Sequence, residues 1–322
     1  MEYTEVRTFR VPHLLVAAAA TSLLVLGACS TDSATGESTD AATVTIETNN
    51  GSMEVPANPV RVAALDNTSF ETLRAFGIEP VALPKPIMPS TGFEEWIDND
   101  AILDVGTHRE PNLEVVSEAE PDLIIGGYRF QEYTDELGQI APTIDISPDD
   151  ENFVDTLKTQ TETLGVIFDK EDRAAEIVAA LDAAEASAAA QTTGQTVFLA
   201  NVNGGKIDNG AARIGRLLEP LTLTDVFAGQ AGDVHGDSGL APETIAQANP
   251  DWVIVLDRDA AAGEPGSSPA KAVFDAQEAF ADTTFTTEDQ IIYLDPFFYT
   301  REGIQAYTEA FQSISDAFEN AA

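Results

Sequence analysis

Positive charge and cysteine are both scarce in this chain. Sixteen lysines and arginines stand against 55 aspartates and glutamates, a formal net charge of −39 at pH 7. Such a surface repels phosphate backbones and argues against a nucleic-acid partner. It suits a soluble protein exposed to variable salt. The lone cysteine, Cys29, excludes disulfides within the chain and a thiolate metal cluster. Histidine is confined to positions 13, 108 and 235, too few and too scattered for a site that grips a bare metal ion with several imidazoles. The glycine-rich NVNGG at 201–205 lacks both the GxGxxG and the Walker patterns of nucleotide sites. Ser238 in GDSGL lacks the GxSxG spacing of a hydrolase nucleophile. The chain is therefore expected not to be an enzyme and to hold no permanent cofactor.

One apolar run stands at the N-terminus. Arg7 and Arg10 precede a mostly apolar stretch, Val11 to Ala28, and no later segment approaches the length of a membrane span. The run ends Leu26-Gly27-Ala28-Cys29, which resembles the lipobox of bacterial lipoproteins. The resemblance implies a signal peptide over 1–29, cleavage before Cys29 and a diacylglycerol thioether on its sulfur. It places the mature chain outside the cytoplasm, anchored by lipid to the cell membrane. Residues 30–42, rich in Ser, Thr, Asp and Gly, read as a flexible tether.

From Thr43 strands and helices alternate. TVTIET alternates as a strand, Asn50-Gly51 signals a hairpin, and SMEV follows. Val60–Leu65 reads as a buried strand and Thr68–Phe76 as a helix ended by Gly77, with short strands near Val81 and Leu103. A helix carrying Glu114, a strand at Leu123–Gly126 and a helix at Gln131–Leu137 come next. After the middle of the chain the reading gives a strand at Thr196–Asn201 and a helix at Arg213–Glu219. A helix carrying Glu243, a strand at Trp252–Leu256, a loop over 259–270, a strand at Ile291–Leu294 and an amphipathic helix at Gly303–Phe318 follow. This alternation predicts parallel sheets.

Between the halves lies EDRAAEIVAALDAAEASAAAQ, residues 171–191, free of Gly and Pro. Ala174, Ile177, Val178, Leu181 and Ala184 recur at helical spacing, Asp169 or Asp172 can cap its start, and Gly194 follows its end. Phe153–Phe168 begins this helical connection. The flanks repeat. Glu114, Pro121, Asp122 and Arg129 recur 129 positions later as Glu243, Pro250, Asp251 and Arg258. Each set reads as helix, Pro-Asp turn, buried strand and a terminal arginine. The expected fold is α/β: two Rossmann-like lobes with parallel-type sheets, over 43–168 and 192–322, joined by one long α-helix over 169–191. An arginine from each lobe faces a shared cleft.

Several stretches together resemble the substrate-binding lipoproteins of iron–siderophore ABC importers, especially the catecholate group: PVRVAALD at 59–66, GTHREPNLE at 106–114, AEPDLIIGGYR at 119–129, IAPT at 140–143, NVNGGKI at 201–207, VHGDS at 234–238, NPDWVIVLDRDAA at 249–261 and IIYLDP at 291–296. The resemblance spans about residues 43–320. It implies that Arg129, Arg213 and Arg258 line a cleft for a polyanionic ferric catecholate, where planar, permanently charged guanidinia donate paired hydrogen bonds. It implies that His235, and Tyr299 in PFFYT, complete the iron coordination left open by a tetradentate siderophore. The 297–301 stretch departs from the family pattern, so Phe298 or Arg301 is an alternative to Tyr299. It also implies that Glu114 and Glu243 dock the two lobes onto an ABC permease dimer, their pairing suiting a twofold partner. Alternative ligands within the resemblance are hydroxamate siderophores, haem and cobalamin. An extracellular sensor or an enzyme on the same scaffold is the alternative of another class.

Overall fold

The computed structural model describes residues 42–107, 109–230, 239–262 and 268–321. Strands β1 (Thr43–Thr48) and β2 (Gly51–Pro56) form the expected antiparallel hairpin across Asn49-Asn50. The first half continues with β3 (Val62–Ala64), α1 (Phe70–Ala75), β4 (Ala82–Leu83), α2 (Glu94–Ile97), β5 (Leu103–Asp104), α3 (Leu113–Glu118), β6 (Leu123–Gly126), α4 (Thr134–Leu137) and β7 (Thr143–Asp145). Its strands make a parallel sheet in the order β5-β4-β3-β6-β7. Helices α5 (Phe153–Phe168) and α6 (Glu171–Gln191) follow. The second half comprises β8 (Thr196–Asn203), β9 (Lys206–Asn209), α7 (Ala211–Ile214), β10 (Thr224–Asp225), α8 (Pro242–Ala248), β11 (Trp252–Asp257), α9 (Arg258–Ala262), α10 (Ala270–Asp275), α11 (Thr284–Thr287), β12 (Ile291–Tyr293), α12 (Phe298–Arg301) and α13 (Ile304–Ala321). Its strands run β10-β8-β11-β12 in parallel, with β9 turned back antiparallel on β8.

The period-two geometry of a strand divides each sheet between two cores. Val62, Ala64, Leu123 and Ile125 face a central core, as do Val197, Leu199, Trp252 and Ile254. The alternate residues Ala63, Leu65 and Ile124 face an outer core behind the first sheet. Phe198, Ala200, Val253 and Val255 do the same behind the second. Helices α5, α6 and α13 feed the central core through Leu157, Leu164, Leu181, Ala184, Tyr307 and Phe311. Both sheets therefore share one apolar interior.

The 129-residue repeat has a physical cause. Asp122 accepts from the backbone N–H groups of Val60 and Arg61, each at 2.9 Å, just before β3. Asp251 accepts from the N–H and hydroxyl of Thr196, both at 2.7 Å, at the start of β8. In each half the Pro-Asp turn thus pins the strand paired with the one it introduces, β3 to β6 and β8 to β11.

Two expectations need correction, the cap of the connecting helix and the loop at 259–270. The helical connection reverses between α5 and α6. Asp169 adopts a left-handed conformation (φ 54°, ψ 48°) as the C-cap of α5 and does not cap α6, and Asp172 lies inside α6. Lys158 of α5 then meets Asp182 and Glu185 of α6, each at 2.7 Å, which requires the two helices to run antiparallel. Gly165 permits the close approach, since a Cβ there would lie 2.8 Å from the Ala174 Cβ. Nor do the described residues of 259–270 form a plain loop, since α9 runs to Ala262 and α10 begins at Ala270. The Asp257 carboxylate accepts from Ala260 N (3.0 Å) and Ala270 N (2.6 Å), fixing the starts of α9 and α10. Strands β7, β9 and β10 went unanticipated.

Candidate functional site

A cavity of about 270 Å³ is lined by Arg129, Arg213, Arg258, Tyr299, Ala261, Phe297 and Thr300, with Pro86, Ile87 and Met88 on one wall. The structure thus brings together the three predicted arginines and the predicted tyrosine. Arg129 follows β6 and Arg258 follows β11, at the carboxyl ends of parallel strands, where open α/β sheets place ligands.

Local backbone geometry aims Arg129. Gly127 (φ 87°) and Tyr128 (φ 45°) both leave the right-handed region directly after β6, turning the chain toward the cavity. No side chain fits at 127, because a Cβ there would lie 2.2 Å from Asp145 Oδ1. Arg129 Nε then donates to Asn67 Oδ1 (3.0 Å), and Nη2 donates to Glu302 Oε2 (2.9 Å) and to the Tyr299 carbonyl (3.4 Å).

Arg258 is held differently. It stands between two buried aspartates, yet neither pairs with it. Asp257 accepts from Ala260 N and Ala270 N, while Asp259 accepts from Gly204 N (2.7 Å) and Gly205 N (2.8 Å) of the β8–β9 turn. Among the described residues Arg258 has no carboxylate partner, and its buried Nε makes no hydrogen bond. Such a donor is costly unless something fills the site. Its guanidinium lies 5.3 Å from the centre of the Tyr299 ring, and that of Arg213 lies 5.6 Å away. Tyr299 therefore sits against two guanidinia, in favourable cation–π contact. Burial and then the charge of Arg258 lower the Arg213 pKa. Like charges held this close, in a chain of net −39, give the cavity a locally cationic wall.

The segment carrying Tyr299 is bound to the first half of the chain. Asn67, buried, donates from Nδ2 to the Thr300 carbonyl at 3.0 Å. Arg301 binds Glu71 at 2.6 Å and Glu309 at 2.7 Å, so it serves as a brace and does not line the cavity. Phe298 is buried against Tyr307, their ring centres 5.0 Å apart. Of the three alternatives within 297–301, only Tyr299 reaches the cavity.

Asn67 and Glu302 escaped the sequence reading. Glu302 is one acid among 55, and only its left-handed backbone (φ 47°) and its arginine partner distinguish it. Burial raises its pKa; Arg129 and Arg216 oppose the rise. Beneath Asn67, the buried Asp66 accepts from Thr68 N (2.9 Å), Thr68 Oγ1 (2.7 Å) and Gln160 Nε2 (2.9 Å). Glu114 and Glu243 are exposed in the first turns of α3 and α8 and do not line the cavity. His235 and Cys29 lie outside the described residues. No group of three or more His, Cys, Asp and Glu that could hold a metal ion occurs among the described residues. No helix among them is long and apolar enough to cross a membrane.

Comparison with known proteins agrees with this architecture. The petrobactin-binding protein YclQ of Bacillus subtilis is 29% identical over 308 residues, covering 92% of this chain and 95% of that protein. The ferric-anguibactin-binding protein FatB of Vibrio anguillarum is 30% identical over 226 residues, 67% of this chain and 69% of its own. The crystal structure of YclQ superposes with a TM-score of 0.75 at 28% identity, covering 86% of this chain and 99% of that one. The periplasmic catecholate-siderophore binding protein VctP of Vibrio cholerae, at 24% identity and a TM-score of 0.74, shares the fold over 85% of this chain and all of its own. The profile of the periplasmic binding protein family matches residues 62–297, from β3 to the edge of the cavity, and the chain belongs to that family.

Proposed function

We propose that this chain is an extracytoplasmic binding protein that captures a ferric siderophore, of the catecholate type, and delivers it to an ABC importer. The observation that carries this reading is the convergence of Arg129, Arg213 and Arg258 with Tyr299 on one cavity. A ferric catecholate is a polyanion with flat, electron-rich rings. Guanidinia match it through charge, planarity and paired donors. The relatives named for petrobactin and ferric anguibactin support a siderophore ligand. Tyr299 is suited to supply a phenolate to iron, with His235 as its companion ligand. Glu114 and Glu243, each exposed near a helix start in matching units, are suited to contact the two halves of a permease dimer. Cys29 would carry the lipid anchor.

A fluorescence titration tests the reading. Trp96 and Trp252 are the only tryptophans, and both are buried. Ferric catecholates absorb broadly and quench such emission by energy transfer. Ferric catecholate, ferric hydroxamate, haem and cobalamin are compared. Saturable quenching at one equivalent by the catecholate is the expected result. Saturation by another member of the panel alone would remove the iron-ligand roles of Tyr299 and His235, and no saturation by any would remove the importer reading.

A further inference from the structure

The three cavity arginines are not electrostatically equal. Arg129 has a resident counter-charge: its Nη2 lies 2.9 Å from Glu302 Oε2, and that carboxylate is 13% exposed. Its Nε is spent on Asn67. Arg258, in contrast, has no ion pair among the described residues, because its neighbours Asp257 and Asp259 are satisfied by backbone N–H groups. Glu302 does not itself line the cavity. It stands behind Arg129, on the segment that follows Tyr299.

We infer that Glu302 sets the charge preference of the site: by cancelling one of three cavity cations, it favours ferric complexes of low negative charge over highly charged ones. This rests on the proposed ferric-siderophore reading. Glu302 is thereby a specificity residue acting through Arg129, with no contact to the ligand. The physical basis is proportionality. Repulsion between Glu302 and the ligand scales with the ligand's charge, whereas a purely structural hold on Arg129 would affect every ligand alike. At a separation of roughly 10 Å and an effective dielectric near 50, each added ligand charge changes the effect about threefold.

The test needs ligands that differ in charge at constant coordination number. Synthetic hexadentate chelators meet this need when their three catecholate arms are replaced stepwise by hydroxamates. Their ferric complexes then carry −3, −2, −1 and 0. Dissociation constants for the series are measured by tryptophan quenching on the purified protein and on its Glu302→Gln and Glu302→Asp variants. Gln keeps a neutral acceptor for Arg129, and Asp keeps the charge. The expected result is that Glu302→Gln strengthens binding of the −3 complex about tenfold more than that of the −1 complex. Glu302→Asp should keep the wild-type dependence on charge. Affinities that fall in Glu302→Gln by one common factor would show only a structural hold and overturn the inference, as would affinities that do not change. Failure of the wild-type protein to bind any complex in the series is a separate result, and it would count against the siderophore reading itself.

Discussion

Asp66 lies two residues beyond the central strand of the first sheet and supports the Asn67 that holds Arg129, and its burial makes it a pH-sensitive element. Its carboxyl is fully buried, and burial, offset in part by hydrogen bonds from Thr68, pushes its pKa from 3.8 up to about 7. A carboxyl whose folded pKa exceeds its unfolded pKa binds its proton more tightly when folded. Its contribution to stability is therefore fully present below pH 3.8, and it is lost as pH rises to about 7. A rise from 3.8 to about 7 corresponds to about 4 kcal/mol. Asp66→Asn removes the titration while leaving an oxygen for Thr68 N, and Gln160 can rotate its amide to face the new NH₂. Urea unfolding of the wild type and the variant at pH 4, 5, 6, 7 and 8 isolates the effect, because the remaining acidic surface is common to both. The variant should gain on the wild type by about 1.4 kcal/mol per pH unit between pH 4 and 7, then hold a constant lead. A difference between the two proteins that stays flat from pH 4 to 8 would refute the reasoning and mean that Asp66 titrates as an exposed carboxyl does.

Other perturbations bear on the platform and the cavity. Gly127→Ala forces a Cβ to 2.2 Å from the Asp145 carboxylate at φ 87°, so thermal unfolding should show a loss of about 2–4 kcal/mol. Gly303→Ala places a Cβ 2.7 Å from the Thr68 carbonyl, where α13 meets the first half of the chain; calorimetry should find weaker ligand binding as well as lower stability. Arg258→Gln should weaken ferric catecholate binding about 10- to 100-fold, as expected for a lost charge-assisted contact, with a smaller salt dependence in titrations at 50 and 500 mM NaCl. Glu114→Ala with Glu243→Ala should leave the titration unchanged while reducing iron uptake in cells.

Much of the architecture was legible in the sequence because it follows from short-range rules. The buried strands are continuous apolar runs, Leu123–Gly126 and Trp252–Leu256, after a Pro-Asp turn, and their repetition reflects one capping device used twice. Of the residues expected at the cavity, Arg129 and Arg258 were legible because each follows the carboxyl end of a buried parallel strand, whereas Arg213 on α7 and Tyr299 on α12 reach it from helices. What was not legible depends on contacts across long sequence separations. The reversal between α5 and α6 is marked by neither Gly nor Pro, only by Asp169 in a left-handed conformation. β9 is polar, and the Gly204-Gly205 that turns the chain into it signalled a turn without signalling a strand beyond. Asn67 acts on Thr300 and Arg129 from 233 and 62 positions away, beyond what residue spacing can convey.

On the proposed reading, the scarcity of cations is itself part of how the site would work. In an acidic protein a buried arginine would ordinarily be captured by one of the many carboxylates, which would leave no field for an anionic ligand. Here the two aspartates flanking Arg258 are occupied by backbone N–H groups of the β8–β9 turn and of α9 and α10. Arg301, only two residues from Tyr299, is fully engaged by Glu71 and Glu309 and adds nothing to the cavity. The same kind of carboxylate that braces the scaffold would quench the site, and the outcome depends on which donors reach it first. Glu302 is the intermediate case: it reaches an arginine that also lines the cavity, and on the inference above it would set how much of that arginine's charge remains for a ligand. On the proposed reading, selectivity for an anion would come less from adding cations than from keeping the surrounding acids from pairing with them.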